Sequence, residues 1–145
     1  MKYLVDTNIL LRLVEPNHPH RKQASEALKS LRRQNSTFYI LLQNVSEFWN
    51  VCTRPADKNG LGLSIAKTDL HLKRFERLFT LLPDTIEVYK NWRQLVVNHS
   101  VSGIHVHDAK IAAAMMARGI VNLLTYNAID FKRYTDIKAI APKDV

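Results

Sequence analysis

Four acidic residues stand where the sequence predicts a junction between a strand and a helix. Asp6 ends the first predicted strand, Glu47 lies near the start of the helix after the second strand, and Asp130 follows a later strand. Residues just after the strands of a parallel sheet gather at one edge, so these three are expected to lie close together. Asp108 opens a helix, and it joins them only if the preceding loop brings that helix start over the same edge.

A group of carboxylates points to metal-assisted hydrolysis. Carboxylates at one point repel each other, and they are tolerated when a cation neutralises them. Oxygen ligands without cysteine suit Mg²⁺ or Mn²⁺. Such an ion can activate water and stabilise charge on a displaced phosphodiester oxygen. Together with the basic composition, this makes a nucleic-acid backbone the natural substrate.

Each of the four acids also has an ordinary structural interpretation. Asp6 and Asp108 can be helix N-caps, since aspartate ranks among the best capping residues. Glu47 can be a first-turn glutamate favoured by the helix dipole, and Asp130 a turn aspartate. Spacing alone leaves both interpretations open for every one of them.

A second metal hypothesis involves His105 and His107, because histidine is a common zinc ligand. A closed zinc site needs about four ligands, whereas no cysteine lies nearby and no further metal-spaced histidine pair occurs. Zinc is therefore the weaker hypothesis. His107 is instead expected to line the acidic pocket or to cap its helix.

The composition favours an anionic partner. The chain has 145 residues and a formal net charge of +8, from 21 Lys and Arg against 13 Asp and Glu. Its one cysteine, Cys52, excludes an intrachain disulfide and lies in an apolar helical pattern typical of a core residue. No apolar run approaches the ~18 residues of a membrane helix. Asp6 and Arg12 interrupt the apolar N-terminus, so no signal peptide and a cytoplasmic location are expected.

Strands and helices alternate along the chain, which predicts parallel strand pairing with helices on both faces of the sheet. No internal repeat or linker is visible, so residues 1–145 are expected to form a single domain. The predicted strands cover residues 3–5, 38–42, 78–82, 120–125 and, at one edge, 137–140. The predicted helices cover residues 7–14, 19–33, 43–53, 64–77, 85–99 and 107–118.

Four short motifs together resemble the PIN domain, and within it the VapC-like toxin ribonucleases of type II toxin–antitoxin systems. The resemblance extends over essentially the whole chain, and a loop with Arg54-Pro55 and Asn-Gly-Leu-Gly at 59–62 is also similar to some members. The motifs are Val-Asp-Thr-Asn at 5–8, Asn-Val-Ser-Glu-Phe at 44–48, His-Asp-Ala at 107–109 before an alanine-rich helix, and Leu-Thr-Tyr-Asn-Ala-Ile-Asp-Phe at 124–131.

The resemblance implies a three-layer α/β/α sandwich with a central, mainly parallel sheet of four to five strands. It also implies that Asp6, Glu47 and Asp108 bind Mg²⁺ or Mn²⁺ directly or through water, with the start of the Asp108 helix reaching the acidic pocket. The fourth acidic position is shared by two candidates. Asp130 is favoured as the carboxylate, and the neutral Asn127 is kept as a supporting or water-binding residue.

Further residues are assigned supporting or substrate-binding roles. The resemblance implies that Thr7, Asn8 and Thr125 form hydrogen bonds around the site. Thr7 and Asn8 can also cap the first helix, which leaves Asp6 free to face the metal. Basic residues near the predicted site are candidates for holding phosphates, with solvated surface charge as the alternative for each. They are Arg12, Arg54, Lys58, Lys132 and Arg133.

The function implied by the resemblance is that of a metal-dependent endoribonuclease acting as a toxin. Its expected partners are an RNA substrate, a cognate antitoxin protein and a second copy of the chain. The alternative is a catalytically weak or inactive PIN-like module that binds RNA or a partner. The neutral Asn127 is the best support for that alternative.

Overall fold

A five-stranded parallel sheet forms the centre of the molecule, in a computed structural model that describes all residues 1–145. The strand order is β3-β2-β1-β4-β5, so β1 is central and flanked by β2 and β4. The register places Tyr3 opposite both Phe38 and Asn122. The strands are β1 (Lys2–Val5), β2 (Thr37–Leu41), β3 (Thr80–Leu82), β4 (Asn122–Leu124) and β5 (Lys138–Ile140).

Six helices cover the two faces of this sheet, which confirms the predicted α/β/α sandwich. Alternating residues of β1 enter two separate cores, because successive side chains of a strand point to opposite faces. Tyr3 and Val5 pack with the first four helices, whereas Leu4 packs with the last two. The helices are α1 (Thr7–Val14), α2 (Arg21–Arg33), α3 (Leu42–Thr53), α4 (Ile65–Leu78), α5 (Ile86–Asn98) and α6 (Val106–Arg118). None of them has the length and apolar character needed to cross a bilayer.

The predicted element boundaries differ from the structure by a few residues. The third strand begins at Thr80 rather than at residue 78, because α4 continues to Leu78 and pairing with β2 starts only at Tyr39 and Thr80. Strand β4 is shorter than the predicted 120–125. Helix α6 begins at Val106, one residue before the predicted start, after a short 3-10 turn at Gly103–His105.

The loop between α3 and α4 is folded closely on Arg54. The Gly62 N–H donates to the Arg54 carbonyl at 2.9 Å, and the Arg54 guanidinium donates to the Asn59 carbonyl at 2.9 Å. At Gly60 an added Cβ would lie 1.8 Å from the Arg54 carbonyl oxygen. Glycine at position 60 is therefore required by the close approach of two backbone segments.

Replacing Gly60 by alanine is expected to lower the free energy of unfolding by at least about 2 kcal/mol, since the backbone must move to admit the Cβ. Gly62→Ala is the matched control. Its φ is +60° and its nearest contact is at 3.6 Å, so it should cost only about 1 kcal/mol of left-handed strain. Urea unfolding of both variants measures the difference. Equal losses would contradict the steric argument.

Candidate active site

Asp6 lies at the junction of β1 and α1 and is the N-cap residue of α1. Its Oδ1 accepts a hydrogen bond from the Thr7 N–H at 2.7 Å, and its carbonyl accepts from the Ile9 N–H. The prediction that Thr7 and Asn8 cap this helix is wrong, because both residues already lie within its first turn. Asp6 therefore has the capping role, which engages Oδ1 and leaves Oδ2 to bind other groups, while metal binding by Asp6 stays a prediction.

The second carboxylate oxygen of Asp6 accepts hydrogen bonds from Thr125, directly after β4, and from Asn8 in α1. The buried Thr125 hydroxyl donates to Asp6 Oδ2 at 2.7 Å, and the Asn8 amide donates to the same oxygen at 3.3 Å. Asn8 also donates to the Thr125 hydroxyl at 3.2 Å, and the Asn127 N–H donates to that hydroxyl at 3.0 Å. The orientation of Asp6 is therefore set by side chains from both ends of the chain.

Glu47 faces Asp6 from α3 and is held by two donors. The Thr7 hydroxyl donates to Glu47 Oε2 at 2.8 Å, and the Gln43 amide donates to Oε1 at 2.9 Å. Gln43 also donates to the His107 carbonyl at 3.2 Å. This side chain thereby links the first turn of α3 to the start of α6.

Asn44 connects the same network to the end of β2. Its side chain is fully buried, its Oδ1 accepts from the Leu41 N–H at 2.8 Å, and its Nδ2 donates to the Thr7 hydroxyl at 3.2 Å. Gln43 and Asn44 were not predicted as site residues. Two signals could have found them: the four-residue spacing from Gln43 to Glu47 places both on one helix face, and Asn44 is the third residue of a helix that follows a buried strand.

Asp108 approaches the site from the first turn of α6, as the resemblance implied. Its Oδ2 lies 3.6 Å from His105 Nδ1, and its side chain is about one quarter exposed, at 28%. Burial raises the pKa of Asp108, and the charges of Asp130 and Glu47 raise it further, while His105 lowers it. The start of α6 therefore does lie over the carboxyl edge of the sheet.

Asp130 and Asn127 occupy the turn after β4. Asp130 is half-buried within a short 3-10 helix at Ala128–Phe131, and its N–H donates to the Asn127 carbonyl at 3.1 Å. Asn127 is exposed, and its backbone N–H is the group that contacts Thr125. Of the two, Asp130 is the residue whose charge acts on Asp108.

The four acids form one electrostatically coupled group. Burial raises the pKa of Asp6 to about 6, the hydrogen bonds from Thr125 and Thr7 lower it, and the charges of Glu47 and Asp108 raise it. Asp108 is coupled in turn to Asp130. No three His, Cys, Asp or Glu side chains converge closely enough to hold a metal ion as they stand. The carboxylates are thus near enough to repel one another without forming a closed ligand cage.

His107 does not have the capping role that was one of its two predicted roles. Helix α6 begins at Val106, so His107 lies inside the helix, and its side chain is exposed. The main-chain carbonyl of His107 is the group that Gln43 binds. The neighbouring His105 side chain is the one that reaches Asp108.

The five basic residues proposed to hold phosphates have different surroundings. Arg12 forms an ion pair with Glu15, and Arg54 is engaged by the Asn59 carbonyl in its own loop. The other three side chains are exposed: Lys58, Lys132 and Arg133. Phosphate binding by all five stays a prediction, and the two internal pairings make Arg12 and Arg54 the less available candidates.

The raised pKa of Asp6 predicts how stability depends on pH without divalent ions. Its pKa is about 6 in the folded protein against 3.8 ordinarily, so between these values the folded state binds more protons than the unfolded state. The free energy of unfolding should therefore fall by about 2 kcal/mol from this residue as pH rises from 4 to 6. Urea unfolding of the protein and of Asp6→Asn across this range isolates the effect. The same dependence of the free energy of unfolding on pH in both proteins would contradict a contribution from Asp6.

The sequence matches the PIN domain family over residues 3–137. The chain belongs to this family. The match extends from β1 to the residue before β5 and includes all four acids described above. No curated protein matches the chain significantly.

Solved structures with the same fold include toxins of toxin–antitoxin pairs. VapBC2 from Rickettsia felis, solved bound to a promoter DNA fragment, is 18% identical with a TM-score of 0.69, and 97% of this chain and 98% of that chain are covered. FitAcB from Neisseria gonorrhoeae is 20% identical with a TM-score of 0.71, and 99% of each chain is covered. VapC20 from Mycobacterium tuberculosis, described as a toxin that cleaves the sarcin–ricin loop, is 15% identical with a TM-score of 0.66, and coverage is 91% and 95%. At these identities the likeness shows a shared PIN fold.

Proposed function

We propose that this PIN-domain protein is an endoribonuclease that uses Mg²⁺ or Mn²⁺ to hydrolyse RNA phosphodiester bonds. The observation that carries the proposal is the group of four carboxylates at the carboxyl edge of the sheet, in which Glu47 and Asp108 raise the pKa of Asp6 while Glu47 and Asp130 raise that of Asp108. Burying an aspartate whose pKa is raised to about 6 is unfavourable, and a divalent cation relieves that cost.

Three carboxylates are proposed as the main metal ligands: Asp6, Glu47 and Asp108. When bound, the ion lowers the pKa of water and neutralises charge on a displaced phosphodiester oxygen. Thr7 and Thr125 fix the orientation of Asp6, and Gln43 fixes that of Glu47. Such supporting hydrogen bonds typically orient the side chains that bind a metal ion.

Asp130 is proposed as the fourth carboxylate. Its charge raises the pKa of Asp108, whereas Asn127 is exposed and contacts the network through its backbone N–H. A neutral amide can add only a carbonyl oxygen to a cation. Asn127 therefore positions Thr125, and Asp130 supplies charge.

A toxin role is proposed from the kind of protein that shares this fold. The similar structures include toxin–antitoxin complexes, among them one from Klebsiella pneumoniae with a TM-score of 0.67 and 18% identity. We propose that this chain likewise pairs with an antitoxin protein, forms a homodimer and acts on RNA in the cytoplasm. The alternative is a PIN-like module that binds RNA or a partner without cutting.

Calorimetry and a cleavage assay on the purified protein separate the two functions. The protein is expected to bind Mn²⁺ and to cleave RNA in Mn²⁺ or Mg²⁺, with cleavage abolished by EDTA. Asp108→Asn should reduce both, while Asp136→Asn, which changes an exposed acid outside the coupled group, should reduce neither. RNA binding without metal binding or cleavage would favour the non-catalytic module. Full cleavage by Asp108→Asn would refute the proposed site.

A further inference from the structure

A basic groove lies on α2 beside the candidate active site, and none of the residues given a role above contributes to it. It has a volume of about 450 Å³ and runs between the α1–α2 loop and the exposed face of α2. Its basic lining residues are His18, Arg21, Lys22 and Lys29, and its one acidic lining residue is Glu26. We refer to it as the α2 groove.

A continuous set of contacts connects the carboxylates to the α2 groove. Thr125, which holds Asp6, is followed directly by Tyr126. The Tyr126 N–H donates to the Asn8 side chain at 3.1 Å, and its hydroxyl donates to the His20 carbonyl at 3.3 Å. These contacts therefore lead from Asp6 to His20, whose chain neighbour Arg21 lines the groove.

Stacked rings occupy the boundary between site and groove. The His20 and Tyr126 rings are 5.0 Å apart and inclined by only 18°, and His18 lies 5.3 Å from His20. His20 is exposed and Tyr126 is half-buried. Exposed flat rings next to a basic surface are the elements with which proteins hold unpaired nucleic-acid bases.

The cations of the α2 groove are only weakly neutralised within the chain. The one ion pair there joins Lys22 and Glu26 at 3.8 Å, with side-chain exposures of 85% and 63%. A pair so exposed contributes little, and it leaves both groups open to solvent. Lys22 and Lys29 are two helical turns apart, about 10 Å along α2, so the two ammonium groups can contact different phosphates of one strand.

We propose that single-stranded RNA leaves the carboxylate site across the His20–Tyr126 stack and lays its phosphates along the α2 groove. This inference rests on the proposed ribonuclease function and specifies where the substrate strand runs. Only unpaired bases can stack on the His20 and Tyr126 rings, and the cations of the α2 groove bind phosphates whatever the base sequence. Arg21, Lys22 and Lys29 are then further phosphate-binding residues, along this part of the strand.

Salt-dependent binding of a short RNA tests this path. The probe is a fluorescently labelled, unstructured RNA of about 16 nucleotides, titrated by anisotropy against protein carrying Asp108→Asn so that it is not cut. Lys22→Glu/Lys29→Glu in that background is expected to weaken binding at least tenfold. Loss of two phosphate contacts should also lower the slope of log affinity against log salt by about 1.4.

The matched control reverses two cations on the opposite side of the sheet. Lys90→Glu/Arg93→Glu on α5 changes the net charge by the same amount, at exposed positions away from the groove. It should alter binding less than threefold. An equal loss in both double variants would overturn the proposal by showing a nonspecific effect of charge. Unchanged binding in the α2 variant would overturn it too, and would leave the groove as a surface for another acidic partner.

Two single variants test the finer features. Glu26→Gln removes the one acid of the groove and should tighten RNA binding, whereas His20→Ala removes one stacked ring and should weaken it about fivefold. His20→Phe should restore binding, because it restores a flat ring. Failure of the wild-type protein to cleave RNA would refute the proposed function. The binding measurements would still test whether RNA lies along the α2 groove. Normal cleavage with an unchanged KM in the α2 variants would refute the proposed position of the RNA strand and leave the proposed ribonuclease function intact.

Discussion

Asp6→Asn is expected to lower metal-dependent RNA hydrolysis by about 10³-fold or more while making the metal-free protein more stable. The loss follows because Asp6 is the most buried of the four acids and is oriented by both Thr7 and Thr125. The gain in stability follows because an amide removes a buried charge whose pKa is raised to about 6. Near pH 8 the free energy of unfolding should rise by about 2 kcal/mol.

Thermal unfolding with and without Mn²⁺ checks both parts of this expectation. Mn²⁺ should raise the Tm of the wild-type protein, because a ligand of the folded state stabilises it, and should leave the Tm of Asp6→Asn nearly unchanged. Asp69→Asn is the control, since Asp69 pairs with Lys73 on the exposed side of α4. It should keep the wild-type activity and the Mn²⁺ response. Because asparagine caps a helix as well as aspartate does, an Asp6→Asn variant that kept full activity would show that Asp6 is only a helix cap.

Asn44→Ala is expected to lower the free energy of unfolding by about 3 kcal/mol, the largest loss expected from a polar residue of this site. The change leaves the buried Leu41 N–H without an acceptor and removes a donor to the Thr7 hydroxyl. Because that hydroxyl donates to Glu47, the variant should also lose activity. Urea unfolding and the RNA cleavage assay measure the two effects.

The same helix offers a matched control for Asn44. Asn50 is exposed, and no side-chain hydrogen bond is formed by it, so Asn50→Ala should change stability by less than about 0.5 kcal/mol. Asn44→Asp keeps an acceptor for Leu41 but adds another buried carboxyl beside Glu47, and should therefore also be destabilising. If Asn44→Ala and Asn50→Ala behaved alike, the buried amide would not be the anchor of the network.

Much of the fold is readable from local sequence, because strand and helix patterns are local. Apolar residues at 3–5 and the periodic apolar positions of α6 predict their elements within one or two residues. The order of elements then implies a parallel sheet, and a parallel sheet collects residues such as Asp6 and Glu47 at one edge. The start of β3 differs from the prediction by two residues, because β3 is an edge strand that begins only where its single neighbour β2 offers a hydrogen-bonding partner.

The sequence by itself determined the class of fold, and it identified four acids at predicted junctions as the candidates for the chemistry. Only the tertiary structure decided how they are held. Thr125 reaches Asp6 across 119 residues, and Thr7 reaches Glu47 across 40. Gln43, Asn44 and the α2 groove became visible for the same reason. Hydrogen bonds and charges between distant segments depend on the packed arrangement of elements, which no local pattern encodes.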